Sequence, residues 1–136
     1  MIVSTKGRYA LRVVIDLAMH SDGEYISLKE ISNRSAISMK YLESIVSSLN
    51  KEGLLDSLRG KNGGYRLNRP ASRYTVGMVL KASEGSLAPV ACVNCEDMNC
   101  SEAQDCLTLP MWKKLDNVID NYLESVTIED LLSQNV

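Results

Sequence analysis

Apolar residues recur at intervals of three and four over residues 4–20. Tyr9, Ala10, Val13, Val14, Leu17 and Ala18 fall on one face of a helix, leaving Arg8, Arg12 and Asp16 on another. Ser21-Asp22-Gly23 supplies turn chemistry after it. Ser27-Leu28-Lys29-Glu30 has the spacing of a capping box, in which the serine hydroxyl accepts from the backbone three residues on and the glutamate reaches back. It predicts a short helix over 28–34. Ser35-Ala36-Ile37-Ser38 makes a turn, and a second helix over 39–52 turns Leu42, Ile45, Val46 and Leu49 inward and is closed by Gly53. The period then changes. Residues 54–59 read as a strand, Gly60-Lys61-Asn62-Gly63-Gly64 as a glycine-rich turn, and the alternation over 65–69 as the return strand, stopped by Pro70.

Two helices joined by about four residues have the size of a DNA-binding helix-turn-helix, and a hairpin with a basic tip after them gives the order of a winged helix. The expected fold class is therefore mainly α: a winged helix-turn-helix with a small two-stranded β wing and a long C-terminal dimerisation helix. The helix over 39–52 is the candidate reading head. Ser38, Lys40, Tyr41 and Ser44, near its N-terminus, are best placed to reach base edges or phosphates. Tyr41 reads equally well as an aromatic at the edge of the core. Glu43 repels phosphate, although a carboxylate can accept from a cytosine amino group. Arg59 and Lys61 at the hairpin tip suit a minor groove or the phosphates. The turn at 60–64 is no nucleotide-binding loop, since no Gly-Lys-Ser/Thr leads into a helix there. A helical pair by itself is also common in proteins that bind no DNA.

Beyond residue 75, Thr75 is placed to cap a helix over 76–84, and a loop containing Pro89 follows to about residue 107. Thr108 is placed to cap a long helix through Glu124, with Pro110 tolerated in its first turn. Met111, Leu115, Val118, Ile119 and Tyr122 form one stripe along it. Such a stripe either completes a monomer's core or meets a twofold partner, which a reader of palindromic DNA requires. Thr127-Ile128-Glu129-Asp130 starts a last short helix over 128–133.

Charge separates the same two stretches. The net charge is −2, yet residues 1–75 hold 12 Lys and Arg against 7 Asp and Glu, while residues 76–136 hold 3 against 10. A basic half suits a polyanion that an acidic half would repel. The expected organisation is a DNA-binding region over 1–75 and a sensor and dimerisation region over 76–136. One histidine leaves no Ser/His/Asp constellation beyond it, so direct catalysis is not expected.

All four cysteines, Cys92, Cys95, Cys100 and Cys106, lie within fifteen residues. That clustering describes a local site, not staples across a core. Met1-Ile2-Val3 leads straight into Lys6-Gly7-Arg8 with no signal-peptide pattern, and no apolar run is long enough to span a bilayer. The chain is expected in the cytoplasm, where disulfides are rare and clustered thiols hold metals or do redox chemistry. Soft thiolates select zinc, copper(I) or iron–sulfur clusters, and only Cys92-x-x-Cys95 has the knuckle form typical of structural zinc. Spacing leaves cluster, zinc and thiol redox chemistry open.

Three segments carry a resemblance: Ser4-Thr5-Lys6-Gly7-Arg8-Tyr9-Ala10, Ile37-Ser38-Met39-Lys40-Tyr41-Leu42-Glu43, and Arg59-Gly60-Lys61-Asn62-Gly63-Gly64-Tyr65. With Cys106-Leu107-Thr108, Trp112 and Val126-Thr127-Ile128, they resemble over nearly the whole chain the winged-helix repressors typified by IscR, NsrR and CymR. The resemblance implies a homodimer that binds double-stranded palindromic promoter DNA. In cluster-bearing members three loop cysteines ligate a [2Fe–2S] or [4Fe–4S] cluster, and by position these are similar to Cys92, Cys100 and Cys106. The fourth ligand departs from the pattern. Leu109 stands where IscR-type members have histidine, Arg8 where NsrR-type members have aspartate, and His20 lies in the first helix. Cys95 is additional and is the candidate fourth thiolate, with water, a small thiol or a carboxylate as the alternative. The expected function is a promoter-binding regulator, a repressor, controlled by an iron–sulfur cluster in the 92–106 loop. The rivals are a thiol-redox or zinc-dependent regulator, and an interaction protein that controls a partner enzyme.

Overall fold

The computed structural model describes residues 3–20, 22–93 and 106–136. In chain order it holds α1 (Thr5–Met19), α2 (Leu28–Ser35), α3 (Met39–Lys51), β1 (Leu55–Leu58), β2 (Gly64–Leu67), α4 (Val76–Glu84), α5 (Leu109–Ser125) and α6 (Ile128–Leu132). Single 3₁₀ turns lie at Ala71–Arg73 and Ala91–Val93. This is the mainly helical winged fold that the residue pattern predicts, with element ends within two residues of expectation.

Hydroxyl caps fix most helix starts. Ser4, Ser27, Ser38, Thr75 and Thr127 each accept a backbone N–H from three residues on. Such a cap contributes about 1 kcal/mol by serving an amide that has no partner within the helix. Two expected caps differ. At α2 Glu30 does not close the box but turns toward Arg34, 4.0 Å away. The complete box is at α6, where Thr127 N–H donates to Asp130 Oδ2 at 2.9 Å while the Thr127 hydroxyl accepts from Asp130 N–H. Thr108 has helical φ and ψ and makes no capping bond. Pro110 behind it lacks one of the amides that a cap would serve, and the Thr108 hydroxyl lies 3.4 Å from the Cys106 sulfur instead.

The core gathers Ala10, Val13, Val14 and Leu17 of α1, Ile31 of α2, and Leu42, Ile45, Val46 and Leu49 of α3, all fully buried. Val79 of α4 and Ile128 of α6 belong to the same cluster. Each of the Val, Leu and Ile side chains contributes about 1.5–3 kcal/mol by leaving water. Backbone pairing fastens the chain's end beside the start of α4: Val76 N–H donates to the Val126 carbonyl at 2.8 Å and Ile128 N–H to the Tyr74 carbonyl at 2.9 Å.

Helix α5 is held differently. Only Leu109 along it is buried. Four of the five residues of its expected stripe face outward, with Val118 60% and Tyr122 58% exposed and Met111 and Leu115 exposed beside them, while Ile119 is half-buried. Polar contacts dock it on α4. Lys81 bonds Asp120 and Glu124, and the Thr75 hydroxyl donates to Glu124 Oε2 at 2.8 Å. A Cβ at Gly77 would run into the Glu124 carboxylate, so the missing side chain is what lets that group lie on α4. The hydrogen bond that Lys81 Nζ donates to the Asp120 carboxylate leads the effects that raise the Lys81 pKa. Among the described residues no helix is long and apolar enough to cross a membrane.

Candidate nucleic-acid interface and cysteine loop

The turn between α2 and α3 is built by its own side chains. Ala36 takes a left-handed conformation at φ 59°, Ser32 Oγ donates to the Ile37 carbonyl at 2.7 Å, and Ile37 is buried. These fix the angle at which α3 leaves. Leu42, Ile45, Val46 and Leu49 bury one face of α3, while Lys40, Glu43, Ser44 and Ser47 are exposed on the other. Ser38 is exposed too, and its Oγ is engaged with Tyr41 N–H at 3.3 Å. Tyr41 is half-buried and meets Tyr9 edge-on, with ring centroids 5.6 Å apart. It therefore sits at the core's edge while bordering the exposed face.

The wing pairs Leu55 with Leu67 and Leu58 with Gly64 in antiparallel register. Arg59 and Lys61 stand exposed at the tip, beside Gly60 at φ 116°. Ser38, Lys40 and Ser44 thus share the α3 side with Tyr41, and Arg59 and Lys61 share the wing tip.

Two devices that hold the wing lie outside the sequence-derived set. Ile26 pairs with Tyr65 through two 2.9 Å backbone bonds, extending the hairpin by one bridge. A Cβ on Gly64 would collide with the Ile26 carbonyl, so glycine is required for that close approach. Tyr74 is wholly buried beneath the wing, and its hydroxyl donates to the Leu54 carbonyl at 2.6 Å. Burial is the main cause that raises its pKa. A lone Tyr ahead of a capping threonine gives no local sign of this role; Ile26, a single apolar residue between a turn and a cap, gives little more.

Cys92 lies half-buried in the 91–93 turn, which packs against α5. Cys106 lies half-buried just ahead of α5. Cys95 and Cys100 fall outside the described residues. Among the described residues no three His, Cys, Asp or Glu side chains form a metal-holding group. The positions where the resemblance would seek a fourth ligand are otherwise engaged: Leu109 is buried in the fold, Arg8 bonds the Thr5 hydroxyl at 3.1 Å, and His20 Nδ1 lies 2.9 Å from the Asp16 carbonyl at the end of α1.

Comparison with known proteins places this architecture. Residues 3–134 match the family model Rrf2, described as an iron-dependent transcriptional regulator. The HTH-type transcriptional regulator IscR of Pectobacterium carotovorum is 38% identical over 133 residues, covering 98% of this chain and 80% of that protein. The solved structure of CymR, the global cysteine regulator of B. subtilis, is similar with a TM-score of 0.77 at 34% identity, covering 98% of both chains. T. potens IscR gives a TM-score of 0.75 at 34% identity, covering 100% of this chain and 89% of that one.

Proposed function

Because the chain belongs to the Rrf2 family of DNA-binding transcriptional regulators, not enzymes, we propose that it is a cytoplasmic homodimeric repressor that reads palindromic promoter DNA and is controlled by an iron–sulfur cluster. Residues 1–75 contact DNA, with Ser38, Lys40, Tyr41 and Ser44 in the major groove and Arg59 and Lys61 on the wing. Residues 76–136 sense and dimerise. Cys92, Cys100 and Cys106 hold the cluster, with Cys95 as the fourth thiolate.

The observation that carries this reading is the placement of Cys92 and Cys106. The two ends of the thiol-rich segment meet the same helix, α5, whose apolar stripe faces outward. A bound cluster supplies a redox-sensitive, thiolate-ligated centre. The protein's own share is mechanical. The 91–93 turn that carries Cys92 packs on α5, Cys106 lies just ahead of α5, Lys81 and Thr75 join α5 to α4, and α4 packs on α1. A change at the foot of α5 can alter DNA affinity only if the two arrangements of the dimer hold the cluster unequally.

A thiol-switch regulator is the second reading, favoured by the likeness to CymR and by Leu109 in place of a histidine ligand. Anaerobic purification followed by a visible spectrum and assays for iron, sulfide and zinc separates them. Iron with acid-labile sulfide supports the cluster; zinc without sulfide, or no metal, supports the rivals. Titration of a promoter duplex with loaded and stripped protein tests whether the centre controls binding.

A further inference from the structure

Helix α1 runs alongside the reading helix and meets it through Lys6 and Tyr9, while Arg12, three residues further on, reaches the end of α2. Lys6 Nζ donates to Ser48 Oγ at 2.9 Å. Tyr9 packs edge-on against Tyr41. Arg12 covers the Tyr9 ring at 5.2 Å and donates at 3.0 Å to the carbonyl of Ser35, the last residue of α2, where the chain turns toward α3. Residues three apart share one face of α1, and Tyr41 and Ser48, seven apart, share one stripe of α3. The contacts run in opposite senses along the two helices, so this seam follows α3 from its third turn to its start.

The stripe occupied by Tyr41 and Ser48 lies between the buried face of α3 and its exposed face. A helix with its side chains is about 10–12 Å wide, and the major groove it would enter is about 12 Å wide. What flanks an inserted helix by one side-chain length is therefore the phosphate backbone. Lys6 and Arg12 stand at that edge, about 9 Å apart along α1 at the helical rise. Arg34, Arg66 and Lys81 are each matched by a carboxylate. Among the described residues Lys6 and Arg12 have none within 4.0 Å and touch only a hydroxyl, a carbonyl and an aromatic ring.

We propose that Lys6 and Arg12 form a phosphate-binding edge on α1 that grips one DNA strand beside the reading helix, with Tyr9 between them setting the tilt of α3. The contact is blind to sequence and distinct from the base-facing residues of α3 and from the wing. It rests on α3 entering the major groove, as proposed above.

The test uses the full-length dimer, a duplex that the protein itself selects from a random pool, and a random-sequence duplex, each titrated over a salt series. Lys6→Met and Arg12→Met keep the apolar stems and remove the charge. Each should weaken both duplexes by a similar factor, and each should lower the slope of log affinity on log salt by about 0.9 per lost phosphate contact. Lys6→Arg and Ser48→Ala should keep the parental slope, because charge and not the Lys6–Ser48 bond is what counts. Thermal midpoints show whether each variant is folded. A parental slope in either folded methionine variant overturns the assignment, as does a slope lost equally in Ser48→Ala. A parent that selects no duplex would overturn the groove reading and this inference together, whereas a parent that binds with unchanged variant slopes overturns this inference alone.

Discussion

The hydroxyl of Tyr74 donates to the Leu54 carbonyl at 2.6 Å, although the two residues lie twenty positions apart. The same oxygen receives the Asn68 amide at 3.1 Å. Leu54 leads into β1 and Asn68 follows β2, so one buried phenol ties the two ends of the wing together.

Tyr74→Phe keeps the apolar volume and removes that tie. The Leu54 carbonyl then loses a buried donor, which costs on the order of 1–3 kcal/mol. Chemical denaturation should show a lower midpoint with an unchanged slope. The pH dependence has a definite sign. Burial raises the folded-state pKa of Tyr74, while an unfolded tyrosine ionises near about 10. The contribution is therefore intact below about pH 10 and is lost as pH rises through the folded pKa. The parent should lose more stability than Tyr74→Phe across that window, and parallel curves would show that the buried phenol does not titrate as described.

How legible each part was depends on the range of the interaction that decides it. The helices were readable because hydroxyl caps and a helical period are local, as at Ser38 with Leu42, Ile45, Val46 and Leu49. The wing was readable because its glycines and its alternation lie within a dozen residues. Tyr74, the Ile26–Tyr65 bridge and the docking of Glu124 over Gly77 were not, since each joins segments with no shared local pattern. The failed cap at Thr108 had a local sign in Pro110, which removes an amide from the first turn. The four thiols announced a site by spacing alone, but their ligand count depends on how the loop folds, and spacing does not fix that. Lys6 and Arg12 carry no local sign of a shared role, since what relates them is the packing of α1 beside α3.

The outward stripe of α5 makes a prediction about assembly. Val118→Asp places a charge at a position that is 60% exposed in the single chain, so the fold should survive. If Val118 meets a second copy, the charge loses water on association and the lost apolar contact adds to that cost, about 1.5–3 kcal/mol for a valine-sized side chain. Light scattering should report a shift from dimer toward monomer at micromolar concentration, with helix content by circular dichroism unchanged. A dimer of undiminished strength would place the twofold contact elsewhere.

The wing offers a paired comparison. Arg59 is exposed at the tip, and Glu52 is the exposed C-terminal cap of α3. A guanidinium in a narrow minor groove gains from the negative potential there, so Arg59→Ala should lose about 1–3 kcal/mol of specific binding. Glu52→Ala should change binding little, or strengthen it slightly by removing repulsion from phosphate. Titration of both variants against one labelled palindrome measures the difference. Equal affinities for Arg59→Ala and the parent would remove the wing from the DNA contact.

The cysteines allow the sharpest division. Cys92 and Cys106 stand at the two ends of the segment, against and just ahead of α5. Under the cluster reading, Cys92→Ala, Cys100→Ala and Cys106→Ala each remove a thiolate that no neighbour replaces, so each should leave protein without bound iron or sulfide when purified without oxygen. Cys95→Ala discriminates further. With Cys95 as fourth ligand, the visible spectrum should be lost or altered and iron content should fall. With water, a small thiol or a carboxylate in that place, Cys95→Ala should keep both spectrum and iron. Neither Leu109 nor His20 is placed to rescue the site, because a leucine side chain has no donor atom and the His20 ring is engaged with the Asp16 carbonyl at the end of α1. A thiol switch predicts a different set of results: no iron in the parent, and DNA binding that responds to oxidant until one cysteine of a reacting pair is removed. Iron, sulfide and oxidant-response measurements on these four variants and the parent therefore assign both the chemistry and the ligand set.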